Sequence, residues 1–344
     1  APIALGLTGF IVAIPVFFDV GLIILIPLAY AISQRLSRSL IYYAIPLLAG
    51  LAVTHAAMPP TPGPVAVAGI IGADLGWVIV FGLLCGIPGF IVGGLIYGRW
   101  LGGRLPVEVP EYMLEEVDPE SQPPFGLIVG LILLPLVLIL GNTFAQTALD
   151  EGTRLRSFLT FIGDPVTALL LALLLTFYVL GIRRGWSRER VLEVAGNALE
   201  PVGLIVLVTG AGGVFGAVLE QAGMGDALEE VLDATGLPLV AAAFLMALAV
   251  RVSIGSATAA AVTSAGIIAP VLEGQDLSAP LLGLLVVVIA GGSTALSHVN
   301  DSGFWLVNRF LGLSEAETLR SWTVMVSLVG FTMFGVALVI SFFL

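Results

Sequence analysis

"GGSTALSHVNDSGFWLV", residues 291–307, crowds glycines, hydroxyls, His298, Asn300 and Asp301 into a run that apolar sequence flanks on both sides. Hydrocarbon solvates none of these polar groups. Non-helical backbone survives at membrane depth only where protein buries it or where it lines a wet cavity. The segment therefore predicts a transmembrane helix broken at mid-depth and facing a polar cavity. The alternative is a kink whose polar groups bond only to neighbouring helices.

The rest of the chain supplies the membrane. Of 344 residues, 58% are hydrophobic and 11% charged, with a mean hydropathy of +1.09. Soluble domains carry about 25% charged residues. Apolar stretches fall at 3–31, 40–72, 75–97, 125–149, 163–181, 199–220, 238–272, 279–311 and 322–344, and a helix needs about 20 residues to cross hydrocarbon. Short alternating barrel strands are absent. The fold class is an all-α polytopic membrane protein. The net charge of −11 lies in the loops, and every basic residue is arginine. The one cysteine, Cys85, excludes an internal disulfide and reads as packing. "GAGGVFG" (210–216) reads as close helix packing rather than a phosphate loop. "GDALEEVLDATG" (225–236) reads as a solvated amphipathic turn.

Arginine sets the orientation, because cytoplasmic loops are enriched in it. "IRRGWSRERVLE" (182–193) is placed inside. Alternating crossings then put 98–124, with Arg99 and Arg104, inside as well, together with "QRLSRS" (34–39) and the loop 312–320. The arginine-free loop 221–236 and the C-terminus fall outside. Arg154 and Arg156 run against this scheme, on an outside loop beside Asp150 and Glu151.

Segments 3–31 and 238–272 are too long for one crossing and too short for two. Pro15, Asp19 and Gly21 interrupt the first; Arg251, Ser253, Gly255, Ser256 and Thr258 interrupt the second. Both fit re-entrant hairpins. Each precedes a broken helix, at "THAAMPPTPGP" (54–64) or "STALSHVNDSG" (293–303), and then a whole helix. The two series are inverted by the arginine rule. Inverted repeats with discontinuous helices mark secondary transporters, whose sites form at the midplane. The expected organisation is a first repeat at 1–97, a cytoplasmic linker at 98–124 and a second repeat at 125–344. Three scaffold helices precede the second hairpin, so by symmetry about three are expected before the first.

"THAAMPPTPGPVAVAGIIGADLG" (54–76) and "SHVNDSGFWLV" (297–307) resemble the two signature stretches of the gluconate permease family, within the ion-transporter superfamily. "VFFDVGLIILIPL" (16–28) and "GSATAAAVTSAGI" (255–267) resemble its hairpins. The resemblance covers essentially the whole chain, with the first hundred or so residues of usual members lacking. It implies import of gluconate or related sugar acids by proton symport, with an elevator-type motion; some members take other hydroxylated acids or D-serine.

Candidate residues follow from the breaks. Arg251 lies well inside an apolar segment, where a guanidinium is costly and marks a pathway or a partner. It can hold a carboxylate by two charged hydrogen bonds, pair with Asp301 or Asp19, or snorkel to the interface. Asp19 and Asp301 are candidate proton-coupling carboxylates or helix caps. His55 and His298, the only histidines, each sit at a break and are candidates for proton relay. Ser256, Thr258, Ser293, Thr294, Ser297, Asn300 and Ser302 offer hydrogen bonds to a polyhydroxylated acid, or to their own helices. Thr61, Gly63 and Thr54 are weaker candidates in the first break, where the prolines fix an unwound shape.

Competing functions are a sodium-coupled or exchange carrier for another small acid and, more remotely, a membrane-embedded enzyme. No catalytic set supports the enzyme. The expected partners are a gluconate-like anion, a coupling proton and the cell-membrane bilayer, with a homodimer left open. No cofactor, metal or nucleic acid is expected.

Overall fold

A computed structural model describes residues 1–14, 17–110, 123–150, 152–197, 214, 218, 237–272 and 275–344. The expected helix at 199–220, the loop 221–236 and most of the acidic part of 98–124 lie outside the described residues. Every regular element among the described residues is helical. Five helices there are long and apolar enough to cross a membrane.

Two helices, α1 (Pro2–Val12) and α2 (Phe18–Leu36), open the chain. The pair is unequal, and α2 runs beyond the expected end at residue 31. Ser33, Gln34 and Arg35 continue its last turns, and Ser37, with φ +47, closes the helix. Segment 40–72 forms α3 (Ile41–Ala57) and α4 (Pro62–Ile71), separated at residues 58–61. Proline at the start of α4 supplies no backbone N–H where a helix has no use for one. Asp74 then caps α5 (Leu75–Gly102), accepting from the amides of Gly76 and Trp77 at 2.9 and 3.2 Å.

Helix α6 (Phe125–Ala148) packs against α7 (Arg154–Ile162) and α8 (Val166–Arg184). The amphipathic α7 was not expected; it carries Arg154 and Arg156, so those arginines belong to a helix rather than a loop. Leu170, Leu173 and Leu174 on α8 are exposed, as suits a hydrocarbon-facing surface. Helix α9 (Arg188–Asn197) follows.

The last third holds α10 (Leu239–Ile254), α11 (Ala257–Leu272), α12 (Ala279–Thr294), α13 (Ser302–Leu311) and α14 (Glu315–Ser341). Helix α14 starts earlier than expected, because Ser314 and Glu317 form a reciprocal capping box. Only residues 312–314 therefore separate it from α13.

The order of short helix, break, second helix, broken helix and long helix occurs at 2–102 and again at 239–341. Neighbours match as well. Helix α1 packs on α3 and α10 on α12, while α5 and α14 pack on each other. The distal half of each broken helix meets the other set: α4 lies along α11, and α13 contacts α2. Tyr30 Oη donates to the Phe310 carbonyl at 2.6 Å across that second contact.

Helices α3 and α12 form the centre, and both are buried around their circumference over most of their length. A helix apolar on all sides belongs in such a place. Small residues let the backbones approach. A Cβ on Gly50 would strike the Gly6 carbonyl of α1, and one on Gly292 would stand 2.6 Å from the Phe244 carbonyl of α10.

Candidate functional site

The second break is built from its caps. Helix α10 ends at Gly255, whose φ of +84 lies in the left-handed region that glycine enters without steric cost. Ser256 then accepts from the Ala259 amide at 3.3 Å and starts α11. Across from this tip, α12 stops at Thr294 and α13 begins after Asp301. Asp301 caps α13, its Oδ1 accepting from the Gly303 amide at 3.1 Å. Asn300 Nδ2 donates to the Val252 carbonyl at 2.9 Å and pins the break to the tip of α10.

Arg251 sits on the last turn of α10 and is 2% exposed. Its Nη2 donates to Asp301 Oδ2. Its Nε and Nη1 are buried and have no hydrogen-bond partner among the described residues. A buried donor without an acceptor costs about 1–3 kcal/mol, and more when it is charged. A second observation sharpens the first: Arg251 lines a cavity of about 260 Å³. That is near the small end of ligand pockets, which start at about 300 Å³.

Both halves of the molecule reach this cavity. Phe17, Phe18 and Asp19 arrive from the start of α2, and His55 from the last turn of α3. Ser256, Thr258, Thr294, Asp301 and Ser302 come from the second break and its tip. His55 Nδ1 is buried and without a hydrogen-bond partner among the described residues, and its ring lies 5.8 Å from that of Phe17. Asp19, His55 and Asp301 line the same cavity. The start of α2, the end of α3 and the second break therefore share one chamber, walled on other sides by Ala52, Val262 and Val326.

The remaining candidates lie outside the cavity lining. Ser293 is buried and donates to the Ala290 carbonyl at 3.1 Å. Thr61 is buried and bonds the Met58 carbonyl. His298 Nδ1 meets the Leu296 carbonyl at 2.8 Å, and Asn300 is spent on Val252. Gly63 packs against Thr258, where a Cβ would stand 3.7 Å from the threonine methyl. Thr54 is buried, and its hydroxyl oxygen lacks a partner among the described residues.

Sequence reasoning missed Trp322. Its ring packs at a tilt against Phe18, centroids 4.8 Å apart, and its Nε1 donates to Ser297 Oγ at 2.6 Å. Ser297 Oγ in turn donates to Asp301 Oδ2. A tryptophan near the start of an apolar segment carries no signal of such a bond. Phe17 and Phe18 were legible only as neighbours of Asp19.

A family model described as GntP family permease matches residues 1–343. The chain is 42% identical to the low-affinity gluconate transporter of Escherichia coli K12 over 328 residues, 95% of this chain and 74% of the relative. It is 39% identical to a gluconate permease of Pseudomonas aeruginosa over 326 residues, 93% and 71% of the two chains. A gluconate permease of Bacillus subtilis matches at 32% over 349 residues, 98% and 77%. These relatives are named as permeases and transporters, not as enzymes.

Proposed function

Because the chain belongs to the GntP family of permeases, we propose that it imports gluconate or a related sugar acid by proton symport. The observation that carries this reading is the half-satisfied guanidinium of Arg251. One nitrogen is held by Asp301, while Nε and Nη1 have no partner at the wall of the cavity. A carboxylate binds a guanidinium edge through two parallel charged hydrogen bonds. Each edge pairs Nη2 with Nε or Nη1, so the edge that Asp301 leaves open offers the second hydrogen of Nη2 beside one free nitrogen. A sugar acid brings that carboxylate. Ser256, Thr258 and Ser302 supply hydroxyls for the rest of a polyhydroxylated chain.

Asp301 carries the coupling proton in this reading, with Asp19 and His55 completing the proton-accessible chamber. An ionised Asp301 competes with the substrate carboxylate for Arg251. Protonation weakens that competition, so proton and anion each strengthen the binding of the other by the same factor. The matched neighbours of the two sets of helices support an inverted repeat with α1–α2 and α10–α11 as re-entrant hairpins. Alternating access then exposes one site to either side, with the C-terminus outside and the protein in the cell membrane. A homodimer is compatible with this arrangement.

Uptake of labelled gluconate into proteoliposomes tests the reading. An inward proton gradient is expected to drive accumulation that unlabelled gluconate outcompetes. Uptake that follows sodium and ignores the proton gradient would overturn the coupling, and preference for D-serine or another acid would overturn the substrate.

A further inference from the structure

Two residues beside the proposed substrate donors and coupling groups control where the proton can sit: Ser297, away from the cavity lining, and Trp322, which forms part of the cavity wall. Trp322 is 4% exposed, and its indole nitrogen can only donate. It donates to Ser297 Oγ. A serine hydroxyl has a single hydrogen, so that hydrogen is directed onward, to Asp301 Oδ2. From the other side the Arg251 guanidinium, also donor-only, bonds the same oxygen. Asp301 Oδ2 is thus held between two donors and has no reason to carry a proton. Oδ1 receives only the Gly303 amide at 3.1 Å, which leaves a lone pair free.

We propose that Trp322 and Ser297 are positioning residues that fix the polarity of this hydrogen-bond chain, so that the coupling proton binds Asp301 at Oδ1. The inference rests on Asp301 as the coupling carboxylate. It gives the Ser297 hydroxyl a task that its neighbours enforce, since Thr323 Oγ1 also bonds the Ser297 carbonyl and holds the residue in place. The charged and titratable groups facing Asp301 are Arg251 from α10, Asp19 from α2 and His55 from α3. Phe18 packs on Trp322, so the tip of α2 abuts the same chain.

The test compares Ser297→Ala, Ser297→Thr and Trp322→Phe with the unaltered protein in proteoliposomes, reading gluconate uptake across a range of pH. Ser297→Ala removes a donor from the carboxylate, so half-maximal uptake should need about tenfold less proton. Ser297→Thr keeps the hydroxyl and should restore the original profile. Trp322→Phe keeps an aromatic ring but frees the serine hydrogen to rotate, and should shift the profile in the same direction by less. The double variant Ser297→Ala with Trp322→Phe should match Ser297→Ala alone. In the Ser297 variants, gluconate counterflow at saturating proton concentration serves as the folding control and should stay within about twofold. An unshifted Ser297→Ala profile with intact counterflow, or additive shifts in the double variant, overturns the inference. Lost counterflow in Ser297→Thr as well as Ser297→Ala would assign the pair to packing and overturn it too. If the unaltered protein shows no proton dependence, it is the coupling reading that fails instead.

Discussion

Arg251 and Asp301 stand 50 residues apart in sequence and meet at the wall of one cavity, joined through a single guanidinium nitrogen. The pair neutralises a charge that the membrane interior would otherwise make costly. It also leaves two nitrogens of that guanidinium without a partner among the described residues. An ion pair built only for stability would have used them.

Arg251→Lys keeps the charge but removes the planar fork. Two charged hydrogen bonds to a substrate carboxylate are worth about 3 kcal/mol or more, so KM for gluconate should rise about 100-fold or uptake should vanish. Initial rates across gluconate concentrations decide this. A lysine variant within threefold of the original would remove Arg251 from the substrate.

Asp301→Asn separates coupling from binding. The amide oxygen still accepts from Arg251, but no proton is exchanged. Counterflow of gluconate should persist while proton-driven accumulation is lost. Asp301→Ala goes further and strands a buried guanidinium, which costs about 3–5 kcal/mol. Thermal unfolding in detergent should show a clear drop for the alanine variant and a smaller one for asparagine.

Gly255→Ala combines two penalties at the tip of α10. Its φ of +84 is a region that residues with a Cβ rarely adopt, and that Cβ would collide with the Asn300 carbonyl. Uptake should be abolished. Gly69→Ala is the matched control, because its Cβ would meet nothing within 4 Å, and it should leave uptake and stability unchanged.

Gly50→Ala reports on the centre of the fold. The added methyl would strike the Gly6 carbonyl and stand 2.8 Å from the Phe10 amide. Overpacking of this kind costs about 1–3 kcal/mol. A melting temperature equal to that of the unaltered protein would mean that α1 and α3 part easily.

Orientation is open to cysteine labelling, since the native Cys85 is buried. Phe343→Cys, near the exposed C-terminus, should react with a membrane-impermeant maleimide added outside intact cells. Glu315→Cys, at the start of α14, should react only after permeabilisation. The reverse pattern would invert the arginine-based topology.

The breaks were legible because their cause is local. Prolines at 59, 60, 62 and 64, and the polar run from Ser297 to Ser302, cannot continue an apolar helix, and the structure interrupts the helices at 58–61 and 295–301. Cap chemistry was only partly legible. The box of Ser314 and Glu317 extended α14 by about two turns beyond its apolar run, because its polar residues still favour helix. Helix α7 escaped notice for the same reason: its period is helical, but it is too short and too charged to read as a crossing.

Thus the sequence by itself determined that the chain is helical, lies in a membrane and is broken at polar points, since hydrocarbon penalises every unpaired backbone group wherever it occurs. Only the tertiary structure decided which polar side chains share a chamber. Asn300, His298, Ser293 and Thr61 looked no different in sequence from Ser256, Thr258 and Ser302, yet nearby carbonyls hold the first four and the cavity receives the others. The bond from Trp322 to Ser297 and the pairing of Arg251 with Asp301 depend on how far each helix rotates before it breaks. That rotation is set by glycine-lined contacts between distant helices, and no short stretch of sequence carries it.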